Sequence, residues 1–358
     1  MQSASSARTV ERRSTRVMWV DTAKGFGIVL VVFGHAMRGL VSANLMTWTP
    51  AARFVDAWIY AFHMPLFFFL SGLFLFRSAI KAWPAFVWDK LRTIAYPYFV
   101  WSLIALAIKA PLGQTVNYPR DLSDIPLILY QPIEQFWFLY VLLLLAIVTG
   151  SLLKFGVNAW LILLLAALLY PGILPIPFLK WVPLDQVRLY AIFLALGTVA
   201  GRYRVVETVA EIRGGWLVVV VAPGLVVSSL AGWSDIAHHY PLQFIFAVSG
   251  TAAVVGLAVL IDKAKWDAAM QLLGRYTLEI FVAHTIISAA VRITLQELTD
   301  VTSPALYLLL CTVAGLVVPI LLAVGFQRIG LPMFTLPKPA TPYSATAPEQ
   351  RASRPAPP

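Results

Sequence analysis

The stretch from Trp19 to Gly39, WVDTAKGFGIVLVVFGHAMRG, sets Asp21, Lys24, His35 and Arg38 into an otherwise apolar run. Lys24 and His35 stand eleven positions apart. On a helix that spacing amounts to about 1,100°, roughly 20° from whole turns, so the two share a face about 16 Å apart along the axis. Asp21 lies three positions before Lys24 and Arg38 three after His35, which extends the face to four ionisable groups. Histidine is the side chain best suited to moving a proton near neutral pH. Lysine and arginine suit anionic ligands such as phosphates, arginine through its planar fork. The stripe can thus hold a phosphate-bearing molecule at one end and transfer protons at the other. A blander reading pairs Asp21 with Lys24 near a membrane interface and leaves His35 to hydrogen-bond a neighbouring helix.

Further polar residues punctuate later apolar runs. YAFHMPLFFFLSGLFLFR carries His63 and Ser71 on roughly one face, and Pro65 frees the carbonyl four positions earlier, near Ala61. Ser71 with Gly72 reads equally well as a small pair for helix packing. Arg77, Lys81, Lys90 and Arg92, opposed only by Asp89, make a basic patch. It suits either topology control with anionic headgroups or the docking of a soluble anionic donor. Glu134 and Trp137 in QPIEQFWFLYVLLL read as an interfacial helix start, Glu134 being a weak catalytic candidate. In LGRYTLEIFVAHTIISAAVR, Arg275 and Glu279 have the spacing of a structural i,i+4 bridge. Thr277, His284 and Ser288 form another polar stripe, with His284 at mid-membrane. His238 and His239 fall in an expected loop and read as solvated. No paired carboxylates, nucleotide-binding glycine loop or HExxH pattern occurs, so no metal is expected.

Such residues need elements to hold them, and composition says which. The 358 residues are 59% hydrophobic and 12% charged, with a mean hydropathy of +0.78, which describes an all-α polytopic membrane protein. Runs of about 20 apolar residues predict ten transmembrane helices at 18–38, 55–76, 93–112, 136–153, 157–175, 187–203, 215–233, 242–262, 275–297 and 304–328. With the N-terminus in the cytoplasm, 19 of the 27 lysines and arginines fall inside and seven outside, so both termini are expected to be cytoplasmic. That distribution also explains the net charge of +10 better than a nucleic-acid partner does. The basic N-terminal flank precedes a run holding Asp21 and Lys24, read as a retained first helix. The domain reading is a cytoplasmic segment over 1–17, a membrane domain over 18–330 and a disordered proline-rich tail over 331–358, where eight of 24 prolines lie. The lone Cys311 builds no disulfide framework. No internal repeat is evident, which weighs against inverted-repeat transporters.

Four stretches, WVDTAKGFGIVLVVFGH, FHMPLFFFLSGLF, QFWFLYVLLL and LGRYTLEIFVAHT, occur in an order and spacing that resembles the membrane-bound acyltransferase-3 family, most closely its fucose 4-O-acetylase-like branch. The resemblance covers residues 17 to about 330. It implies a membrane O-acyltransferase that moves an acyl group, usually acetyl and sometimes succinyl, from cytoplasmic acyl-CoA to a hydroxyl of a saccharide or glycolipid. It implies a bacterial inner membrane location, and activity carried by a basic residue and a histidine in the first helix, here Lys24 and His35. Many relatives have arginine where this chain has Lys24, so charge is kept and the bidentate fork is not. On this reading His35 activates the acceptor or carries the acyl group, with Lys24, Asp21 and Arg38 beside it. His63, Ser71, Arg77, Lys90, Arg92, Glu134, Trp137 and His284 are the expected binding residues, those of the basic patch drawing the donor's phosphates. The alternative is a proton-coupled transporter or flippase using the same buried histidines; a structural membrane subunit is the third reading.

Overall fold

The computed structural model describes residues 17–174, 177, 181–233 and 239–337. Within them the chain is helical, because a backbone in lipid has no hydrogen-bond partner but itself. In order come α1 (Met18–Ser42), α2 (Pro50–Leu73), α3 (Leu75–Ala79), α4 (Trp83–Lys90), α5 (Tyr96–Leu112), α6 (Trp137–Lys154) and α7 (Ala159–Leu169). They are followed by α8 (Val182–Arg202), α9 (Val205–Glu211), α10 (Gly214–Ser229), α11 (Tyr240–Ala264), α12 (Ala268–Arg275), α13 (Thr277–Leu298) and α14 (Pro304–Arg328). Among the described residues, nine helical stretches are long and apolar enough to cross a membrane.

The expected fifth span is shorter than its apolar run. α7 has 11 residues, about 16 Å at 1.5 Å per residue against a hydrocarbon core of about 30 Å. Pro171 ends it: a proline forces the preceding residue out of the helical region, and Tyr170 is extended at ψ 136°. Gly172 then turns the chain at φ +85°. α7 nevertheless runs antiparallel to α8, since the Trp160 indole near its start donates to the Tyr203 hydroxyl past the end of α8. Arg188, near the start of α8, donates to the carbonyl of Leu169 at the end of α7. With α7 antiparallel to α8, α6 and α8 run parallel, and Trp137 at the start of α6 stacks on Tyr190.

α1 lies at the centre, packed by α2, α11, α12, α13 and α14. That position buries Asp21 and half-buries Lys24 and His35, while Arg38 stays exposed. Glycine sets two of the closest crossings. A side chain at Gly274 would overlap the Asp21 carbonyl, locking α12 against α1, and one at Gly197 would overlap the Phe69 carbonyl where α8 meets α2.

Contacts sort the helix ends onto two faces. The Trp19 indole donates to the Val206 carbonyl, Arg77 pairs with Glu207 at 2.5 Å, and Lys154 donates to the Lys81 carbonyl. Arg92 donates to the carbonyl of Leu336 and Tyr96 to that of Pro332. The start of α1 and the segment after α14 therefore share one face, which also carries most of the cations. The opposite face holds Arg38, Asp56, and Asn117 donating to the Gly39 carbonyl. Phe334 is buried and stacks on Trp101, so packed chain continues past the expected domain edge at 330. Residues 1–16 of the expected N-terminal segment, the tail beyond Pro337 and His238 lie outside the described residues.

Candidate functional site

Three helices bring three imidazoles together. His35 of α1 and His284 of α13 meet edge to face, 5.2 Å between ring centroids and 72° between planes. Tyr60 of α2 lies 6.2 Å from His35 and 4.6 Å from His63, so a tyrosine bridges the His35 and His63 rings. The tautomers follow from the backbone. Nδ1 of His284 lies 3.0 Å and 2.8 Å from the carbonyls of Ile280 and Phe281, and carbonyls only accept. In the neutral ring that nitrogen holds the proton, leaving Nε2 a bare acceptor. His63 is fixed likewise by the Ile59 carbonyl at 2.7 Å.

Two buried polar atoms flanking His35 are unspent. The His284 Nε2 and the Tyr60 hydroxyl have no hydrogen-bond partner among the described residues. Buried polar atoms are nearly always paired, and exceptions mark functional sites or bound water. Gly34 makes room for this arrangement, since a methyl group there would lie 3.0 Å from the Tyr60 ring and 3.6 Å from its hydroxyl.

At the outer end of the cluster, Arg38 makes a bidentate ion pair with Asp56, at 2.7 and 2.8 Å. Its guanidinium carbon lies over the Tyr60 ring, 3.2 Å from the centroid, a cation–π contact. Beyond Tyr60 opens a cavity of about 380 Å³, walled by Tyr170, Tyr190, Phe193 and Phe246 and reaching Arg38. Ala61 and Pro65 line it too.

Asp21 and Lys24 occupy the first two turns of α1, toward the basic face, Asp21 buried and Lys24 half-buried. Neither is idle: both have interacting partners. Beside them the Thr22 hydroxyl donates to Asp267 at 3.2 Å. The basic patch is partly neutralised, with Arg77 on Glu207 and both Lys81 and Arg92 on Asp89. Lys90 lies over the Phe86 ring at 5.4 Å. On the same face a second cavity of about 460 Å³ is lined by Lys154, Asn158 and Arg202, the last stacked over Phe76 at 4.7 Å.

Other expected site residues stand apart from the imidazoles. Ser71 does not line the aromatic cavity, and its neighbour Gly72 packs against the Leu194 carbonyl. Glu134, at φ +43°, forms an ion pair with Lys109. Trp137 belongs to an aromatic stack with Tyr190 and Phe68. The stripe of Thr277, His284 and Ser288 divides: Thr277 donates to the Gly274 carbonyl and Ser288 to that of Cys311, leaving His284 alone aimed at the site. The chain breaks between α12 and α13, so Arg275 reaches Gln271 at 3.4 Å instead of the expected Glu279. Among the described residues no three His, Cys, Asp or Glu side chains converge to hold a metal ion.

Asp56, Tyr60 and Tyr190 were not among the expected site residues. Asp56, Tyr60 and His63 stand at i, i+4 and i+7, one face of a helix, and that spacing is the signal that could have found the first two.

A family model for an acyltransferase domain, that of the acyltransferase-3 family, matches residues 17–324. The nodulation protein NolL of Mesorhizobium japonicum is 29% identical over 156 residues, which is 42% of this chain and 39% of that protein. The chain thus covers well under half the length of this relative. No solved structure matches.

Proposed function

We propose that this chain, which belongs to the acyltransferase-3 family, is a membrane acyltransferase that moves an acyl group, most simply acetyl, from cytoplasmic acyl-CoA to a hydroxyl of an envelope or exported saccharide or glycolipid. Within the family we place it in the fucose 4-O-acetylase-like branch, on the motif pair of the first two helices. The observation that carries the reading is the meeting of His35 with the unspent Nε2 of His284, inside the membrane and one tyrosine from a cavity.

On this reading the acceptor hydroxyl oxygen attacks the thioester carbonyl. A carbon–oxygen bond forms, the carbon–sulfur bond breaks, and the hydroxyl proton passes to His35 and then to the departing thiolate. The bare Nε2 of His284 is placed to accept a hydrogen bond from an N–H of His35, which keeps the other His35 nitrogen bare toward the acceptor, as an orienting group does for other catalytic histidines. Asp21 and Lys24 mark the donor side. Supporting this, they lie toward the cation-rich face, which the reading places in the cytoplasm of a bacterial inner membrane with both termini. Lys154 and Arg202 are the cations beside the second cavity, whereas Arg77 and Arg92 already share their charge with Glu207 and Asp89. Lys90 joins them at that face.

Arg38 takes a changed role. It was expected beside His35 in the catalytic group, but its fork is engaged by Asp56. It shapes the acceptor side by holding Tyr60. The transporter alternative draws on the same histidines and has no separate observation behind it.

Purified protein in detergent, given acetyl-CoA and a saccharide extract, is expected to release free coenzyme A, and His35→Ala to abolish that release. A stably inserted His35→Ala protein transferring at the parent rate would remove the core of the reading. Mass spectrometry of envelope glycans from cells with and without the protein then names the acceptor.

A further inference from the structure

We propose that Tyr60 is a catalytic residue, whose hydroxyl takes the proton of the attacking acceptor hydroxyl while giving its own proton to His35. The proposal rests on the acyl-transfer reading and adds one step to it.

The cavity of about 380 Å³ is lined by Tyr60 and Arg38, and His35 is not part of its wall. A ligand there meets Tyr60 and Arg38 before it meets an imidazole. Arg38 is committed to Asp56 through both arms of its fork, at 2.7 and 2.8 Å, and a guanidinium does not give up its proton in a protein. Tyr60 is the wall residue in ring contact with His35, 6.2 Å between centroids.

Its hydroxyl is in the state that a relay needs. Other tyrosines spend that group on the backbone: Tyr98 donates to the Ile128 carbonyl, Tyr140 to that of Leu129 at 3.0 Å and Tyr170 to that of Tyr240 at 3.1 Å. The Tyr60 hydroxyl is buried without a partner, although phenylalanine would fill the same space and leave no polar atom unmet inside the membrane. It also lies against α1 beside the catalytic histidine, since a methyl group on Gly34 would stand 3.6 Å from it. The ring is clamped, with Arg38 over it at 3.2 Å and His63 edge-on at 4.6 Å, so little freedom is lost when a ligand meets it.

A phenolic hydroxyl donates and accepts at once, and catalytic hydrogen bonds commonly tighten only when the substrate is bound. In the proposed step the acceptor oxygen bonds the thioester carbon and the carbon–sulfur bond breaks. The acceptor proton moves to the Tyr60 oxygen as the Tyr60 proton moves to the bare nitrogen of His35. His35 then protonates the departing thiolate, and both side chains return to their starting forms.

The test follows acetyl-labelled acetyl-CoA with the full chain in lipid nanodiscs and the saccharide extract as acceptor, counting label transferred and label released as acetate. Water is small enough to reach His35 without the relay, so hydrolysis reports on His35 alone. Tyr60→Phe keeps the ring and its contacts; it should lower transfer about 10²-fold while acetate release stays near the parent rate. His35→Ala should lose both. In mixtures of light and heavy water, the parent transfer rate should follow a bowed line, as two protons in flight require. Parent-like transfer by Tyr60→Phe, an equal loss of both activities, or a straight line for the parent overturns the proposal. Any of these with label transfer by the parent sinks the relay alone, whereas a parent protein that consumes no thioester sinks acyl transfer itself and the relay with it.

Discussion

The His284 ring meets the His35 ring edge to face at 5.2 Å, with its Nδ1 committed to the Ile280 and Phe281 carbonyls and its Nε2 unspent. If His284 orients His35, removing it misplaces a proton without removing the base. His284→Ala should lower kcat about 10²-fold while leaving KM for acyl-CoA near the parent value. His284→Gln keeps an acceptor near the same place and should recover part of the loss. Equal kcat for parent and His284→Ala would show that the contact is packing only.

The Arg38 and Asp56 pair supports Tyr60 from the other side. The arginine side chain is 43% exposed, so the ion pair alone is worth at most about 1 kcal/mol, and the ring contact adds about 0.5–1 kcal/mol. A double-mutant cycle of Arg38→Gln with Asp56→Asn, read by thermal unfolding in detergent, should give a coupling of about 1 kcal/mol. Acceptor KM should rise in either single variant, because a loosened Tyr60 no longer presents its hydroxyl. Unchanged KM would confine the pair to stability.

The stripe on α1 could be read before any fold was known, because a 3.6-residue period turns positions 21, 24, 35 and 38 into one face. His284 was visible by the same rule, an ionisable group in an apolar run. What the period cannot supply is the partner. Asp56 reads as an ordinary polar residue near a helix end until α1 lies beside α2, and Tyr190 reads as lipid-facing until α6 stacks against it. The length of α7 was hidden by composition, since Leu and Ala continue to Leu169 and only Pro171 with Gly172 marks the stop. Arg275 and Glu279 failed as a bridge because helical spacing holds only within one helix, and the chain breaks at Tyr276.

Asp267, between α11 and α12, ties the donor end of α1 to its neighbour. Burial alone would raise its carboxyl, but hydrogen bonds from the Gln271 amide, its own backbone and the Thr22 hydroxyl outweigh burial and hold it below the ordinary aspartate range. A depressed carboxyl stabilises the fold fully above its unfolded value of about 3.9, and that contribution is lost as pH falls through the lower folded value. Parent and Asp267→Asn proteins should therefore differ in melting temperature at pH 6, and the difference should shrink as pH falls below the ordinary aspartate range. A difference that persists undiminished at low pH would show that the carboxylate charge is not what holds α12 to α1.

The crossing of α1 and α12 offers the sharpest steric contrast. Gly274 faces the Asp21 carbonyl with no room for a side chain, whereas Gly39, on α1 itself, has nothing within 4 Å of where a methyl group would stand. Gly274→Ala forces two backbones apart and should cost about 1–3 kcal/mol; it should also shift Asp21 and Lys24 and raise KM for acyl-CoA. Gly39→Ala adds the same methyl to open space, gains up to about 1 kcal/mol of helix propensity, and should melt at or above the parent temperature. Thermal unfolding of both proteins in one detergent checks the pair. Equal melting temperatures would mean that α12 can slide along α1 without cost, and the donor end of the stripe would then owe its position to something other than this crossing.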